Sequence, residues 1–341
     1  MYFGLTTGQT RGSYSSYPQP MRTPILDVFP SRLIAVVQEP AKRERFDALL
    51  ARIVIPKPLW TIDQSDAGQL YVKLRSGSQS HSSEGLGEGI LSLLSIVDAL
   101  YDSEPGHTIA IDEPELSLHP ALQRRLASIF SEYARDRQII YATHSPYFVS
   151  WLDLAAGARI ARLAKVEDTV RISAAGPEVI ARVASAIADD LQNPHVLGLD
   201  ASEVFFIDDD RVVLVEGQED VVFYRLVLRE LDLHLPADFF GWGVGGAGKM
   251  ERIAELLAAL GFRRVAGIVD ADQTHAAEQL RQRFPSYRFE VIPASDVRTK
   301  EARAAIPARP GLTTSAGALR DEYREATNAL FTDLIAWFGN G

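Results

Sequence analysis

The sequence predicts an α/β protein whose second half forms a parallel sheet with helices on both faces. Short runs of branched apolar residues alternate with segments of helical period, which is the pattern of a parallel sheet. Two of these runs, 212–215 (VVLV) and 265–269 (VAGIV), end abruptly in acidic residues. An uninterrupted apolar run is typical of a buried parallel strand, and the charge begins where the strand leaves the sheet. A chain of 341 residues is also long enough for two domains.

The elements of the first half follow from apolar periodicity and from turn residues. The first 30 residues are rich in Ser, Thr, Gly and Pro, so they predict irregular structure. Beyond them we predict helices, strands and one hairpin, in this order: a helix at 41–53, a strand at 69–74, a mostly buried helix at 90–100, a strand at 107–111, an amphipathic helix at 120–135, a strand at 138–142, a hairpin at 158–172 and a helix at 177–190.

A polar segment around 191–202 is the predicted boundary between two domains. Strands and helices alternate after it: strands at 204–207, 211–215, 265–269 and 288–292, helices at 220–231, 249–260 and 275–284, and a glycine-rich turn at 241–250. The chain is therefore predicted to divide into four parts: an irregular and helical N-terminal segment at 1–64, a first domain at 65–190, a second domain at 203–300 and a helical tail at 301–341.

Composition restricts the classes of protein that this chain can represent. The absence of cysteine excludes disulfides and thiolate-bound zinc, and it fits a reducing compartment. No apolar run reaches the ~20 residues of a membrane span, and the N-terminus lacks the pattern of a signal peptide. A net charge of −10 argues against a generally basic, nucleic-acid-coating protein, although local basic patches remain compatible with it. We therefore expect a soluble, cytoplasmic protein without a membrane partner.

Four acidic residues are expected to meet at one edge of the predicted sheet. Ligands of open α/β sheets bind at the carboxyl ends of the strands. Successive strand side chains alternate faces, so Asp270 and Asp272 are expected to point the same way. If the two acid-terminated strands are neighbours, the acids that follow them converge: Glu216, Asp220, Asp270 and Asp272. Carboxylates at close range raise one another's pKa values, and Mg²⁺ is the natural counter-charge for oxygen ligands.

Residues 108–120 (TIAIDEPELSLHP) predict a strand that carries Asp112 and Glu113 at its tip. One carboxylate there can hold Mg²⁺, and the next can polarise a water for attack on a γ-phosphate. A second strand ends at His144, whose imidazole can hydrogen-bond a terminal phosphate at the same edge. Before both, residues 82–89 (SSEGLGEG) lead into a helix, and exposed N–H groups at a helix start favour phosphate.

Each of these patterns has a structural alternative when it is taken alone. An acidic strand end is more often a solvated turn, a single histidine is usually structural, and a Ser/Gly run before a helix is usually a linker and a cap. Their order and spacing along one chain favour the functional interpretation.

The motifs resemble those of ABC-type ATPase heads of DNA-repair and anti-phage proteins. Residues 82–89 are similar to the signature loop, 109–113 to Walker B, 117–120 to the D-loop and His144 to the switch histidine. The resemblance implies nucleotide binding by these residues: Ser83, Gly85, Gly87, Gly89, Asp112, Glu113 and His144.

The second half resembles the Toprim domain of the overcoming-lysogenization-defect (OLD) family of ATP-dependent nucleases. Residues 203–217 (EVFFIDDDRVVLVEG) and the VDAD strand carry this resemblance. It implies a Mg²⁺ (or Mn²⁺) site for cleaving DNA, with these acids as ligands: Glu216, Asp220, Asp270 and Asp272. Residues 293–300 (PASDVRTK) match a further cluster, in which Asp296 would bind metal and Lys300 would stabilise transition-state charge. A capped helix start is the alternative for this segment.

The sequence departs from the ATPase pattern in one respect, because no P-loop precedes residue 82. The string at 243–249 (GVGGAGK) follows the Walker B-like strand, and Met250 stands where a Ser or Thr is needed. A tight glycine turn before a helix is the better interpretation. The expectation is therefore that the N-terminal ATPase lobe is absent, through truncation, a split gene, or a P-loop supplied in trans by another subunit.

Two functional hypotheses from different classes remain. The first is a Mg²⁺-dependent DNA endonuclease of the OLD type in which Glu216, Asp270 and Lys300 are catalytic and ATP binds at an incomplete head. The second is a non-catalytic, ATPase-like regulatory or assembly subunit that pairs with a P-loop-bearing partner. Topoisomerase or primase chemistry ranks lowest, since the chain leaves little room for a tyrosine domain. A homodimer is expected by analogy with paired ATPase heads.

Overall fold

The structure is a computed structural model that describes residues 23–64, 66, 68, 70–76, 79–82, 88–166, 169–188, 198–207, 210–300 and 308–339. The chain divides into two compact units, residues 1–148 and 149–341. The predicted boundary lay about 50 residues later, around 191–202. Residues 149–188 group with the second unit because α-helices at Trp151–Ala155 and Pro177–Ala188 contribute Trp151, Leu154 and Ile180 to its core.

The first unit combines helices with a small antiparallel sheet and a parallel strand pair. Its elements are α1 (Thr23–Gln38), α2 (Pro40–Ile53), β1 (Leu59–Gln64), β2 (Leu70–Ser76), β3 (Gln79–Ser82), α3 (Glu88–Tyr101), β4 (Thr108–Asp112), α4 (Pro120–Tyr133) and β5 (Gln138–Ala142). Strands β1, β2 and β3 pair antiparallel in that order, and β4 pairs with β5 in parallel.

One apolar core holds the first unit together. Helix α3 contributes Leu93 and Val97 to it, and α4 contributes Leu126 and Phe130. Trp60 of β1 is buried against Phe46 of α2, with ring centroids 5.1 Å apart. The apolar residues of α3 and α4 recur at helical spacing, and those of β1 alternate along the strand. Each element therefore has one apolar face, and these faces pack in the same core.

The second unit opens with a helix and a hairpin and continues as an alternating α/β fold. Its elements are α5 (Trp151–Ala155), β6 (Ala161–Val166), β7 (Thr169–Ala174), α6 (Pro177–Ala188), α7 (Leu199–Glu203), β8 (Arg211–Leu214), α8 (Gln218–Glu230), β9 (Asp238–Phe239), α9 (Ala247–Ala259), β10 (Arg264–Val269), α10 (Thr274–Arg283), β11 (Arg288–Val291) and α11 (Asp321–Gly339).

Four strands of the second unit form a parallel sheet in the order β11-β10-β8-β9. Side chains of β8 and of Val215, which follows it, alternate between two cores. Val212 and Leu214 pack with α6 and α9, whereas Val213 and Val215 pack with α8 and α11. Burial on both faces explains why the strand is an unbroken apolar run. The predicted parallel sheet with helices on both faces is confirmed.

The structure differs from the predicted elements at several places, among them the short elements β3, α5, α7 and β9, which were not predicted. Residues 204–206 form a 3₁₀ helix instead of a strand, because Phe205 packs on Trp151 (ring centroids 5.4 Å apart) and not in a ladder. Helix α1 begins at Thr23 and continues through Pro30, although irregular structure was predicted to residue 30; its buried Phe29 and Leu33 stabilise it. Strand β1 was not predicted. In the described part of the predicted helical tail, residues 308–339, the helix begins at Asp321.

Among the residues that the structure describes, no helix combines the length and apolarity needed to cross a membrane.

Candidate metal and nucleotide sites

Two acids lie at the carboxyl ends of adjacent parallel strands in the second unit. Strands β8 and β10 are neighbours, with Leu214 across from Gly267, so the condition for convergence is met. Glu216 follows β8 and Asp270 follows β10. The backbone N–H of Asp270 donates to Oε1 of Glu216 over 3.4 Å, which joins the two strand ends. The position is the edge at which open α/β sheets bind ligands.

Asp220 lies in the first turn of α8, beside the end of β8. Its Oδ2 accepts a 2.9 Å hydrogen bond from the backbone N–H of Gly217, as in a capping box. Burial, and then the charges of Glu216 and Asp296, raise the pKa of Asp220 to about 6. The carboxylate of Asp220 therefore both caps the helix and belongs to the acidic edge. We use this name for the acids at or near the carboxyl ends of β8 and β10: Glu216, Asp220, Asp270, Asp272 and Asp296.

Asp270 shows the strongest electrostatic effect of the acidic edge. Burial first, and then the charges of nearby acids, Asp220 and Glu216 foremost, together raise its pKa to about 8. Burial also raises the pKa of Glu216, although its bonds with the backbone N–H groups of Asp270 and Ala247 oppose that shift. Mutual repulsion of this kind favours either protonation or a bound cation.

The expectation that Asp272 extends the strand beside Asp270 is wrong. Residues Ala271–Gln273 form a 3₁₀ turn, so side-chain alternation ends at Asp270. The carboxylate of Asp272 is 43% exposed and lies 3.4 Å from Nη2 of Arg309. Its charge still raises the pKa of Glu216 and Asp270, so it remains at the rim of the acidic edge.

Asp296 and Lys300 form an ion pair at the same edge. Asp296 is buried, and its Oδ2 lies 2.6 Å from Nζ of Lys300. Its Oδ1 accepts from the backbone N–H of Arg298 at 3.2 Å, which is the kind of local bond expected of a helix cap. Neither Asp296 nor Lys300 begins a described helix, however, because residues 296–300 run into isolated β-bridges.

The carboxylates of the acidic edge are near one another without forming a finished metal site. Within the described ranges, no three His, Asp or Glu side chains are close enough together to hold a metal ion as they stand. Asp220 is engaged by Gly217, and Asp296 by Lys300. A cation would therefore have to draw the carboxylates together and displace the ammonium group.

The glycine-rich string at 243–249 is a turn that positions Glu216. The backbone N–H groups of Gly245 and Gly246 both donate to the carbonyl of Glu216, and that of Ala247 donates to its carboxylate. At Gly243, with φ +92°, an added Cβ would lie 2.5 Å from Cα of Gly217. The amides that a P-loop would offer to phosphate are thus directed at the backbone carbonyl and the carboxylate of Glu216, which agrees with the predicted glycine turn.

The Walker B-like and switch-histidine-like motifs of the first unit, which were predicted to contact nucleotide phosphates, lie together at the ends of β4 and β5. Asp112 lies across from Ala142, and Glu113, with φ +48°, follows directly. Glu115 accepts hydrogen bonds from Oγ1 of Thr143 at 2.7 Å and from the backbone N–H of His144 at 2.5 Å. The turn after β4 and the turn after β5 are therefore tied together, with the exposed His144 beside the acids.

Gly89 brings the start of α3 against the turn that follows β4. A Cβ at this position would lie 2.3 Å from the carbonyl oxygen of Ser117, so only glycine fits. The approach joins the predicted signature-like and D-loop-like segments. The other predicted residues of that loop, Ser83, Gly85 and Gly87, lie outside the described residues.

Two residues of these sites were not predicted from the sequence. Glu115 is the third acid of the DEPE run, and its position three residues beyond Asp112 was the available signal. Arg309 pairs with Asp272 and exchanges two backbone hydrogen bonds of 2.8 Å with Lys300. No sequence signal links residues 300 and 309, because the bridge between them is a tertiary contact.

Comparisons with known proteins first indicate the class of the first unit. A family model described as "AAA domain, putative AbiEii toxin, Type IV TA system" matches residues 31–150, the range that contains Asp112, Glu113 and His144. The chain is similar to this ATPase-like domain over roughly a third of its length.

One curated relative extends the comparison. The chain is 29% identical to the OLD nuclease of Thermus scotoductus over 201 residues, which are 56% of this chain and 36% of that protein. The chain thus spans little more than a third of the length of its relative. This weak homology agrees with the resemblance of the sequence to OLD nucleases.

Solved structures give a weaker likeness. An Smc head domain from Pyrococcus yayanosii has 16% identity and a TM-score of 0.33, covering 46% of this chain and 30% of that one. An SMC head domain from Thermotoga maritima has 14% identity and a TM-score of 0.28, covering 43% of this chain and 52% of the other. TM-scores this low carry no conclusion about this chain.

Proposed function

We propose that this chain is a cytoplasmic, Mg²⁺-dependent DNA endonuclease of the OLD type, with the acidic edge of its parallel sheet as a Toprim nuclease centre. The observation that carries the proposal is the group of acids at the ends of β8 and β10, in which burial and neighbouring charges raise the pKa of Asp270 to about 8. A structural role would not require repelling carboxylates at one ligand-binding edge. DNA repair or anti-phage defence is the proposed setting.

The donor set suits a hard divalent cation. All members are carboxylates, the oxygen ligands that Mg²⁺ and Mn²⁺ prefer, and Asp270 and Asp220 bind protons more tightly than ordinary aspartates. Glu216, Asp220, Asp270 and Asp296 would hold the ion, with Asp272 at the rim. A bound cation would supply Lewis-acid polarisation of a phosphodiester and an activated water.

The residues of this chain contribute orientation and charge to that chemistry. Backbone N–H groups of Asp270 and Ala247 hold the Glu216 carboxylate at the strand ends. Lys300 lies 2.6 Å from Asp296 and 3.8 Å from Glu219, so its ammonium group is available at the edge to stabilise the extra charge on a phosphate under attack. Arg309, paired with Lys300 through the backbone, brings a second cation to the rim.

ATP control is proposed to involve a P-loop from outside these 341 residues. Asp112, Glu113 and His144 lie together at the ends of β4 and β5, and Gly89 lies in the first turn of the adjoining helix α3. These residues would contact the nucleotide from one side, together with the loop around Ser83, Gly85 and Gly87. A separate, P-loop-bearing subunit would meet them in a dimer, since no P-loop motif precedes residue 82 in the sequence.

The test is cleavage of supercoiled plasmid DNA by the full chain. Mg²⁺ or Mn²⁺ should support nicking, and Asp270→Asn should abolish it while leaving DNA binding intact. Glu325→Gln is the matched control, because it removes one charge from an exposed position of α11. An intact plasmid with metal-loaded wild-type protein would sink the proposal.

A non-catalytic regulatory subunit is the second candidate, and one observation favours it. Asp296 is already neutralised by Lys300, and Asp272 by Arg309, so both acids have structural partners without a metal. In that case the protein would form a stable complex with a P-loop-bearing ATPase and would raise its ATP turnover. Metal-dependent nicking by the isolated chain would exclude this candidate.

A further inference from the structure

The amino-terminal edge of the parallel sheet in the second unit is basic. Three neighbouring strands each begin with an arginine: Arg211 on β8, Arg264 on β10 and Arg288 on β11. Arg264 lies directly across from Arg211, and Arg263 precedes it. Because all these strands are parallel, the arginines lie roughly 20 Å from the acidic edge, at about 3.3 Å per strand residue.

A groove of about 750 Å³ opens at this basic edge. Ligand pockets typically enclose ~300–1,000 Å³, so the groove has room for a small molecule or for one unit of a polymer. Three arginines and one aspartate leave its wall with a net positive charge, in a chain whose net charge is −10. The residues of the wall that matter here are Arg263, Arg264, Arg288, Ser286, Asp333 and Trp337.

The guanidinium groups are held in place and keep donors for a ligand. Arg264 donates through Nη1 to the carbonyl of Phe338 at 3.1 Å. Arg288 donates through Nη1 to the carbonyl of Asp333 at 3.3 Å and through Nε to Glu290. A guanidinium carries five N–H donors, so these bonds use a minority of them. Arg263 is 64% exposed at the mouth of the groove; its Nε lies 3.4 Å from Oδ2 of Asp210, which leaves the donors of its two terminal nitrogens for a ligand.

Trp337 supplies a flat aromatic surface beside these charges. It is partly buried near the end of α11, and Phe338 packs edge-on against it with ring centroids 4.9 Å apart. A fixed indole ring next to guanidinium forks offers stacking for a base and bidentate hydrogen bonds for a phosphate. Neither an aliphatic acid nor a simple anion would use both features.

We propose that this groove binds a nucleotide unit, with its phosphate on Arg263, Arg264 and Arg288 and its base against Trp337. A free nucleotide and a nucleotide within a single strand present the same phosphate and ring. The site is separate from the acidic edge and requires neither a metal ion nor cleavage.

Fluorescence anisotropy with the full chain tests the proposal. A labelled thymidine strand is titrated in excess EDTA, at salt concentrations between about 50 and 200 mM, and AMP is added as a competitor. The double variant Arg263→Ala/Arg288→Ala should weaken strand binding by about tenfold or more and lower the log–log salt slope by up to about 0.7, the loss of one phosphate contact. Trp337→Leu should weaken binding by about tenfold with an unchanged slope.

Arg283→Ala is the matched control, because this arginine is also about half exposed in the second unit and does not line the groove. It should change affinity by less than about twofold. Competition by AMP would identify free nucleotide as the ligand, and its failure would identify the strand. If the double variant melts early, Arg263→Glu replaces it, since that side chain is largely exposed. Unchanged affinity and slope in the arginine variants would overturn the inference, whatever the result of the nicking assay.

Discussion

The backbone N–H of Asp270 donates a 3.4 Å hydrogen bond to Oε1 of Glu216, across the ends of two adjacent parallel strands. Ala247, at the start of α9, donates a second backbone bond to the same carboxylate. Glu216 is therefore fixed by the sheet and by a helix N-terminus together. Burial and the negative charge of Glu216, which lies beside Asp270, disfavour ionisation of the Asp270 carboxyl. The protonation state of Asp270 is therefore the property of the acidic edge that responds most to pH.

The first prediction concerns stability and pH in metal-free protein. An unfolded aspartate titrates near pH ~3.9, whereas Asp270 titrates at about 8, so between these values the folded state binds more protons. Stability should therefore fall as pH rises through this window and level off above about pH 8. One group contributes at most about 1.4 kcal/mol per pH unit, and partial solvent exposure reduces that. Urea unfolding in EDTA from about pH 5 to 9 measures it.

The matched variants for this measurement are Asp270→Asn and Glu325→Gln. The first removes the titrating group and should flatten the slope above about pH 7, where Asp220, with a pKa of about 6, is mostly ionised. The second leaves the slope as it is in the wild type. Equal slopes in all three proteins would show that the Asp270 carboxyl is not perturbed.

A divalent cation should reverse this loss of stability. Metal binding requires ionised carboxylates, so Mn²⁺ should raise the melting temperature more at about pH 8 than at about pH 6. Differential scanning fluorimetry at both values measures the shift. Asp270→Asn should remove most of it, whereas Ca²⁺, Mg²⁺ and Mn²⁺ titrations on the wild type rank the preferred ion. A melting temperature indifferent to all three ions would contradict a metal site here.

The parts of this site that could be predicted were those encoded by local pattern. Val212–Leu214 and Val265–Val269 are branched apolar runs, and a buried parallel strand is the simple structure for each. Asp272 was misplaced because alternation was extended past the end of β10, where backbone bonding to Ala294 turns the chain. The contact of Arg309 with Lys300 depends on a tertiary bridge, which no local pattern encodes.

The same limit applies to the first unit. Strand β4 and its acids were visible because charge follows an apolar run. Strand β1 was not, since Trp60 is its only fully buried residue and two prolines, which favour turns, lie just before it. Helix α1 passes through Pro30 because packing of Phe29 and Leu33 outweighs a local preference.

The glycine turn next to Glu216 should tolerate no side chain at Gly243. Alanine there would combine a φ of +92° with a Cβ only 2.5 Å from Cα of Gly217. We expect Gly243→Ala to cost about 2–4 kcal/mol of unfolding free energy and to weaken Mn²⁺ binding by moving Glu216. Gly248→Ala is the control, because no described atom lies within 4 Å of its added Cβ and it falls in α9. Similar losses for the two variants would refute the turn's role.

Lys300 should oppose metal binding and support catalysis. Lys300→Met keeps the length of the side chain and removes the ammonium group that lies 2.6 Å from Asp296. Mn²⁺ affinity by calorimetry should therefore increase, because the cation no longer competes with a bound ammonium. Nicking should fall by roughly 10²-fold or more through loss of charge stabilisation. Lys300→Arg should retain part of the activity, and full activity in Lys300→Met would exclude a catalytic role.

Glu115 should be the residue that couples the two turns of the first unit. Its carboxylate accepts from Thr143 and from the backbone of His144, so Glu115→Ala leaves two polar donors without this acceptor. We expect a loss of about 1–3 kcal/mol in urea unfolding. Glu115→Gln keeps one acceptor oxygen and should lose less, while Glu104→Ala, at an exposed position, should stay within about 0.5 kcal/mol of wild type. Since His144 is placed by this bond, nucleotide-dependent association with a P-loop-bearing partner should weaken in Glu115→Ala and not in Glu104→Ala. If Glu115→Ala instead matches Glu104→Ala in both measurements, the hydrogen bonds of Glu115 to Thr143 and His144 neither stabilise the fold nor support association with the partner.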